Sequence, residues 1–498
     1  MLKQKFLVHF GSNFIARILG MFAGIIVARI AGPEVVGTIA YGTSYVMLWS
    51  FISGVFGSGH IKLISEGQDI GKCISVFTRL YFGSVIVYFF VVIGFFLFQK
   101  YILNVNFGST TQQAVIVILL SSTILEKFYQ YSNATFTATM EQAKANLPIF
   151  VKSVIWQIGR IIVVFFGLKA IGLVTWNLVI TVLLLPLVFN LIKKSPRTGW
   201  DHNLFKRHIS YAMPILLIVI INSIIQYSDK LLLAHYTNTT ELGYYSAANS
   251  IGGMIMLASM TVGNIFFPLF SSLLAKNDWA AVKQKIMQFQ EFLSIFVFPL
   301  VCLIVIISVP LITTVLGSRY EPSIKPFMII SFATYITLVG MPYGNTITGA
   351  GRFYLNVWIN GIKLIVFILS ITFFVSPQFL GLGATGLSLN LLVINLFTNL
   401  LFLYFSKRLS KLSFFSFRNT FRHVIIFSVS FILYIYQDTF NEWFSFWWIV
   451  IIPVYIVFIY GIMFLLGLIN MEHFKKFADL INVQKIITYV NNELGDKK

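Results

Sequence analysis

The sequence predicts an all-α polytopic membrane protein with about 14 transmembrane helices, arranged as two six-helix bundles plus two C-terminal helices. Three observations support this prediction: the composition, a regular succession of long apolar segments, and a pattern that occurs twice along the chain. Of the 498 residues, 57% are hydrophobic and 11% are charged, and the mean hydropathy is +0.84. Soluble domains carry about 25% charged residues, so the composition excludes a soluble globular protein.

The apolar segments divide the chain into spans, because a transmembrane helix needs about 20 mostly apolar residues. On this criterion the predicted spans are residues 10–31, 38–59, 80–99, 112–138, 147–168, 170–192, 210–235, 243–268, 289–316, 324–347, 355–376, 383–405, 422–440 and 444–469. A cytoplasmic amphipathic tail follows at residues 471–498.

Lysine and arginine collect in alternate connections between these spans, and such connections lie on the cytoplasmic side of a membrane. The cluster after the twelfth span consists of Lys407, Arg408, Lys411, Arg418 and Arg422. The opposite connections hold few cations, chiefly Lys100, Lys169 and Arg319. Both termini are therefore predicted to be cytoplasmic. This topology accounts for the net charge of +19 without a nucleic-acid partner.

A pattern near the first span returns in the second half of the chain. AGPEVVGTIAYGTSY at residues 31–45 resembles TNTTELGYYSAANSI at residues 237–251, and one ungapped offset places Gly37 on Gly243 and Ser44 on Ser250. GLKAIGL at Gly167 and GLGATGL at Gly381 form a second match at a similar offset. Six spans per repeat is an even number, so the two repeats have the same orientation and are related by a pseudo-two-fold axis along the membrane normal.

The repeat defines the predicted domains and a cavity between the two halves. The domains are an N-terminal six-helix bundle at residues 1–200, a C-terminal six-helix bundle at 201–410, two additional transmembrane helices at 411–470 and the tail at 471–498.

Several motifs are better explained by packing than by chemistry. GLGATG at Gly381 has the form of a dinucleotide loop but lies in a predicted turn between spans, and GMFAG at Gly20 is a GxxxG packing face. Cys73 and Cys302 are far apart, and the seven histidines form no metal-binding motif. The connections are too short for a soluble catalytic site. No metal, cofactor or enzymatic activity is predicted.

Ionisable residues inside predicted spans are costly and are therefore candidate functional residues. Seven are cationic, namely Arg17, Arg29, Lys127, Lys152, Arg160, Lys230 and Lys363, and two are anionic, Glu126 and Asp229. The excess of cations predicts an anionic substrate group, such as a phosphate or pyrophosphate. An alternative for Arg29, Lys152 and Lys230 is that they reach the headgroups from near the span ends. The two acids either neutralise neighbouring cations or couple transport to an ion.

Three stretches carry a family resemblance: GPEVVGTIAYGTSY, its echo TTELGYYSAANSI after YSDKLLLAHY, and TGAGRFYLNVWING. They resemble the polysaccharide transporter branch of the multidrug/oligosaccharidyl-lipid/polysaccharide exporter superfamily, which includes O-antigen and other lipid-linked oligosaccharide flippases. The resemblance implies alternating access and movement of an undecaprenyl-pyrophosphate-linked glycan from the cytoplasmic to the outer leaflet of a bacterial inner membrane. It also implies that Arg17, Arg29, Lys127, Arg160 and Lys363 contact the pyrophosphate.

Two other functions stay open at this stage. Fourteen spans resemble the branch that flips the peptidoglycan lipid precursor, and an ion-coupled multidrug exporter would share the fold but needs an anionic cavity. The expected partners of a flippase are its lipid-linked oligosaccharide, membrane lipids, an H⁺ or Na⁺ counter-ion at Glu126 or Asp229, and polysaccharide polymerase and glycosyltransferases.

Overall fold

A computed structural model of the chain describes residues 2–102, 109–253, 266, 269–436 and 447–473. All regular elements in these ranges are helical, and nine helices among them are long and apolar enough to cross a membrane. A bent pair of helices, Pro33–Met47 and Phe51–Ser65, passes the same test together. The predicted all-α polytopic class is confirmed. The span count of about 14 stays a prediction, and most of the predicted tail at 471–498 lies outside the described residues.

The helices of the first half closely follow the predicted spans. They are α1 Leu2–Ala31, α2 Pro33–Met47, α3 Phe51–Gly54, α4 Phe56–Ser65, α5 Ile70–Tyr101, α6 Thr110–Ala138, α7 Gln142–Phe165, α8 Ala170–Lys193, α9 His202–Tyr236 and α10 Thr239–Gly252. The described helices of the second half are Trp279–Phe292, Phe298–Ile306, Ser308–Val315, Ile324–Gly349, Phe353–Val375, Gly383–Ser410, Phe417–Ile435 and Trp447–Leu465.

The chain reverses between α1 and α2 at the predicted Gly-Pro break. Gly32 has φ of 83°, a conformation that residues with a Cβ adopt rarely, and Pro33 occupies the first turn of α2. Proline is favoured there because the first helical N–H has no partner within the helix. Gly32 and Pro33 together therefore produce a tight turn.

The second predicted span, 38–59, is a bent helix rather than a straight one. Helix α2 and the segment that follows it, Phe51–Ser65, form an angle of 53°. The residues around the bend include Ser50, Ser53 and Gly54, which are weak helix formers. The sequence thus permits a bend at this point, where a run of leucine or alanine would favour a continuous helix.

The chain packs into two compact units. The first unit contains the described residues of Met1–Ile251 together with Val315–Pro326 and Asn360–Asn390. Its interior includes Tyr45 and Tyr88, whose hydroxyls donate to Gln99 Oε1 at 2.8 Å and to the Val46 carbonyl at 2.9 Å. Buried tyrosine hydroxyls are satisfied in this way when they lie among apolar neighbours.

The second unit contains the described residues of Gly252–Thr314, Phe327–Ile359 and Leu391–Lys498. Its largest buried cluster joins the helix Phe298–Ile306 to the last two helices, Phe417–Ile435 and Trp447–Leu465. The two units are defined by contacts and the predicted repeats by sequence, so the repeat boundaries at residues 200 and 410 stay a prediction.

The last two helices of the second unit are fixed by Arg422, whose side chain is completely buried. Its guanidinium donates to the Leu468 carbonyl at 3.1 Å, to Asn419 Oδ1 at 2.8 Å and to Glu291 Oε1 at 3.2 Å. The sequence places Arg422 in a cytoplasmic cluster, and the structure shows that it is a buried structural residue. A buried charge requires this density of hydrogen bonds.

Candidate functional site

All nine predicted site residues lie in the first unit. Within that unit, α1, α2, α6, α7 and α8 enclose a cavity of about 390 Å³. Most of its wall is apolar. Its charged, polar and aromatic lining includes Thr43, Glu126, Lys152, Trp156, Arg160 and Asn177. Three of the predicted residues, Glu126, Lys152 and Arg160, therefore share one cavity.

Glu126 and Lys152 form an ion pair across α6 and α7. Lys152 Nζ donates to Glu126 Oε1, and Asn177 Nδ2 from α8 donates to the same oxygen at 3.2 Å. Lys152 Nζ also lies 5.4 Å from the centre of the Tyr129 ring. The pair contributes no net charge to the cavity, so Lys152 does not act there as a free cation in this structure.

Arg160 supplies the cavity with a positive charge that no described carboxylate neutralises. Its Nη2 donates to the Gly20 carbonyl of α1, and its guanidinium lies 5.8 Å from the Trp156 ring. Its buried Nε has no hydrogen-bond partner among the described residues. Arg160 therefore brings an unbalanced positive charge to the cavity wall, and an anionic ligand would be favoured.

The GMFAG motif of α1 makes room for the side chains of α7. A Cβ on Gly20 would lie 3.0 Å from Gln157 Nε2, and a Cβ on Gly24 would lie 3.5 Å from Arg160 Nη2. The missing side chain at Gly20 thus lets Gln157 lie closely against α1, whereas a Cβ at Gly24 would make an ordinary contact with Arg160. The predicted packing role of this motif inside the bundle is confirmed.

Lys127 lies in the interior and does not line the cavity. It is buried, its Nζ donates to Gln130 Oε1 at 3.3 Å, and it lies 5.2 Å from the centre of the Tyr88 ring. The hydrogen bond and the aromatic ring partly replace the water that a lysine loses on burial. The predicted contact between Lys127 and a substrate would need a different arrangement of α6.

The remaining predicted residues occupy separate places in the first unit. Lys230 Nζ is 3.2 Å from Asp229 Oδ1 on α9 and donates to the Gln226 carbonyl at 2.6 Å. Arg17 lines a second cavity of about 310 Å³, which shares Ile149 and Ser153 with the first cavity. The other two predicted cations are Arg29, which donates to the Val315 carbonyl at 3.3 Å, and Lys363, which is half-buried without a hydrogen bond to a described residue.

The sequence did not single out Asn177 and Trp156, although both line the cavity. Asn177 is an amide in the first half of the apolar helix α8, and a polar residue in such a segment is a signal for an interhelical hydrogen bond. Trp156 precedes Arg160 by four residues, a spacing that places both on one face of α7. These two signals would have extended the predicted site.

The N-terminal turns of α2 and α10, which correspond in the sequence repeat, meet at two glycines. A Cβ on Gly37 would lie 1.6 Å from the Thr239 carbonyl oxygen, and a Cβ on Gly243 would lie 1.9 Å from the Pro33 carbonyl oxygen. Each glycine accepts the backbone of the other helix, and we call this reciprocal contact the glycine clasp. A larger residue at either position would prevent the contact.

The GLGATG segment serves as a turn that is tied to α10. Gly381 and Gly383 both have φ of 55°, and the Ala384 amide donates to Glu241 Oε2 at 2.8 Å. Glu241 thereby occupies the N-terminus of the helix Gly383–Ser410, where a carboxylate is favoured. The geometry supports the predicted turn.

Comparisons with known proteins agree with this architecture. A family model described as polysaccharide biosynthesis protein matches residues 26–325. No curated protein matches the sequence. Lipid II flippase MurJ in an inward closed conformation is similar with a TM-score of 0.69 and 17% identity, over 92% of this chain and 97% of MurJ.

Multidrug transporters are similar as well. An inward-facing multidrug resistance MATE family transporter of the MOP superfamily gives a TM-score of 0.66 and 11% identity, over 80% of this chain and 94% of that transporter. At these identities the likeness concerns the fold, while the family match spans more than half of the chain. The chain belongs to the polysaccharide biosynthesis protein family and is a multi-pass membrane protein whose fold is similar to that of MurJ and of the MATE transporter.

Proposed function

We propose that the protein is a flippase that moves an undecaprenyl-pyrophosphate-linked oligosaccharide, such as an O-antigen or another surface polysaccharide repeat unit, across a bacterial inner membrane. Transport runs from the cytoplasmic to the outer leaflet by alternating access, with both termini in the cytoplasm. The observation that carries this proposal is the 390 Å³ cavity in which Arg160 lacks a carboxylate partner.

The cavity has the chemistry that an anionic glycolipid headgroup requires. Arg160 donates charge-assisted hydrogen bonds to a phosphate oxygen, and its position beside Trp156 gives an adjoining aromatic surface for a sugar ring. Thr43, Ser153 and Asn177 provide hydroxyl and amide groups for sugar hydroxyls. The neighbouring cavity places Arg17 near the same helix face, where it serves as a second phosphate contact.

The other predicted cations have supporting roles in this proposal. Arg29 and Lys363 line the path of the pyrophosphate, while Lys127, Lys152 and Lys230 join it when their present contacts rearrange. Lys152 is paired with Glu126, and Lys230 is paired with Asp229. Each lysine must therefore leave its carboxylate before it can bind the substrate, which links the two events. A proton or Na⁺ that binds the carboxylate would replace the lysine there, and the lysine could then bind the substrate. This replacement of the lysine by an ion is the proposed ion coupling.

A peptidoglycan lipid-precursor flippase is the second candidate. The likeness to MurJ covers 92% of this chain, whereas the likeness to the MATE transporter covers 80%. The larger coverage favours this second candidate. A multidrug exporter of the same fold is less well supported, because Arg160 gives the described cavity an unbalanced positive charge that would repel organic cations.

The proposal is tested by depletion of the protein in its own cell and identification of the lipid-linked intermediate that accumulates. A surface-polysaccharide repeat unit on undecaprenyl pyrophosphate, retained on the cytoplasmic side, is the expected result. Accumulation of the peptidoglycan precursor with cell lysis would favour the second candidate. Unchanged lipid-linked intermediates together with sensitivity to cationic drugs would refute both flippase functions.

A further inference from the structure

A polar pocket of about 490 Å³ lies in the first unit, away from the cavity described above. It brings together Lys169, in the turn before α8, and Arg319, in the segment Ser318–Ser323. These are two of the three main cations that the sequence assigns to the outer side of the membrane. Neither side chain forms a hydrogen bond or ion pair with a described residue, so both charges are available to a ligand.

We propose that this pocket is an outer-side binding site for the diphosphate group of the lipid-linked substrate. The proposal rests on the proposed function for the identity of the anion, and on the pocket itself for the existence of the site. Two unpaired cations face one carboxylate, Glu34, among the described lining residues, so the pocket has a positive balance. A diphosphate has the opposite charge and several acceptor oxygens for both side chains.

The surrounding backbone reinforces the positive balance. The first turns of α2, α6, α8 and α10 all contribute residues to the pocket lining, among them Pro33, Thr111, Ala170 and Thr240. Helix N-termini carry a partial positive charge that favours anions nearby. The cavity and the two cations define the site, and the helix termini add to its attraction for a phosphate.

The pocket also shares its wall with the glycine clasp. Pro33 contributes the carbonyl that meets Gly243, and Thr240 follows the residue that meets Gly37. Because residues of the clasp form part of the pocket wall, opening the clasp would change the pocket, and a ligand that binds the closed state more tightly than the open one would stabilise the closed clasp. The outer site therefore couples occupancy by the released substrate to closure of the outer side.

Binding is tested with the full-length protein in phosphatidylcholine nanodiscs and two probes, inorganic pyrophosphate and farnesyl diphosphate. The variants are Lys169→Gln, Arg319→Gln and their combination. Lys100→Gln is the matched control, because Lys100 is an outer-side cation that contacts Gln113 at 3.2 Å and does not line the pocket. The combined variant is expected to bind both probes about tenfold more weakly, and the control is expected to bind as the wild type does.

Glu34→Gln gives a prediction of opposite sign, since removal of the carboxylate should strengthen diphosphate binding by about threefold. Tighter binding of farnesyl diphosphate than of inorganic pyrophosphate supports the lipid-linked substrate as the source of the anion. Unchanged binding when the combined variant also carries Arg160→Ala overturns the site, because binding in the first cavity is then excluded. Binding of phosphatidylglycerol at Lys169 and Arg319 without binding of either diphosphate probe also overturns it, because the pocket would then serve a phospholipid headgroup.

Arg160→Ala separates this inference from the proposed function. Diphosphate binding that persists in Arg160→Ala and disappears when Lys169 and Arg319 are also changed supports the outer site. Loss of all binding in Arg160→Ala alone contradicts the outer site and leaves the proposed function standing. Full transport by Arg160→Ala contradicts the role of Arg160 in the cavity, whereas no transport by the wild type, with binding that depends on Lys169 and Arg319, contradicts the function and leaves the outer site standing.

Discussion

Single charged residues in the first unit differ in what neutralises them. Lys152 is paired with Glu126 and Lys230 with Asp229, whereas Arg160 is held by a backbone carbonyl and an aromatic ring. A paired lysine contributes structure, and a guanidinium with an unused donor can bind a ligand. The seven predicted cations therefore divide into groups with different expected effects on stability and transport.

The Glu126–Lys152 pair gives a test at this scale. We expect Glu126→Gln to lower the free energy of unfolding by about 1–2 kcal/mol, because it leaves a largely buried ammonium without its partner. The double variant Glu126→Gln with Lys152→Gln should recover most of that loss. Thermal unfolding of the wild type, Glu126→Gln, Lys152→Gln and the double variant in the same detergent measures the coupling. Strictly additive effects would show that the pair contributes nothing.

Arg422 gives a second residue-scale prediction. Arg422→Lys is expected to reduce stability by about 2–4 kcal/mol, because an ammonium cannot reach the Leu468 carbonyl, Asn419 and Glu291 together. Denaturant unfolding of the purified protein measures the change. Arg408→Lys is the control, since Arg408 is exposed near the end of the helix Gly383–Ser410. Equal stability of both variants would argue against a structural role for Arg422.

At the scale of helices, the glycine clasp joins the two elements that the sequence repeat relates. Gly37 meets Thr239 and Gly243 meets Pro33, so each contact is the counterpart of the other. Close approach of two helix backbones depends on the absence of a side chain at the crossing. The clasp therefore explains why a glycine stands at both repeat positions.

The geometry of the glycine clasp predicts the effect of adding a single methyl group at either glycine. Gly37→Ala or Gly243→Ala should prevent closure, since the added Cβ would overlap a carbonyl oxygen. In a Ser153→Cys background, we expect at least threefold faster labelling of the cavity by an impermeant thiol reagent added outside. Cys73 and Cys302 are buried and should contribute little labelling.

The control for the clasp is Gly83→Ala on α5, where an added Cβ meets no atom within 4 Å. This variant should label at the wild-type rate and gain slightly in helix propensity. Equal labelling rates in Gly37→Ala, Gly243→Ala and Gly83→Ala would show that the clasp does not control access to the cavity.

Local features of the fold were predictable from the sequence. The Gly32-Pro33 turn, the packing face at Gly20 and the correspondence of Gly37 with Gly243 each depend on backbone geometry that particular residue types prescribe. The bend in the second span was not predicted, because its serines and glycine permit a bend without requiring one.

The contacts of the charged residues were less predictable. Glu126 and Lys152 are far apart in sequence and meet because α6 packs beside α7, while burial of Arg422 depends on Leu468 and Glu291 from other segments. Such pairings are set by tertiary packing, which periodicity and charge patterns do not specify. The sequence could therefore predict some of the charged residues that line the site, but it could not predict which of them form ion pairs with one another.

For the whole molecule, the proposed transport requires that Arg160 in the cavity act on the transported headgroup. The direct measurement is the rate at which an undecaprenyl-pyrophosphate-linked oligosaccharide changes leaflet in proteoliposomes that contain the purified protein. The variants are Arg160→Ala and the control Lys194→Gln, whose side chain is exposed at the end of α8.

We predict that the wild type and Lys194→Gln move the glycolipid at equal rates, and that Arg160→Ala is at least about tenfold slower while it remains folded. The loss follows from removal of charge-assisted hydrogen bonds to the diphosphate. Equal rates for Arg160→Ala and the wild type would contradict the central claim that Arg160 in the first-unit cavity binds the transported anion.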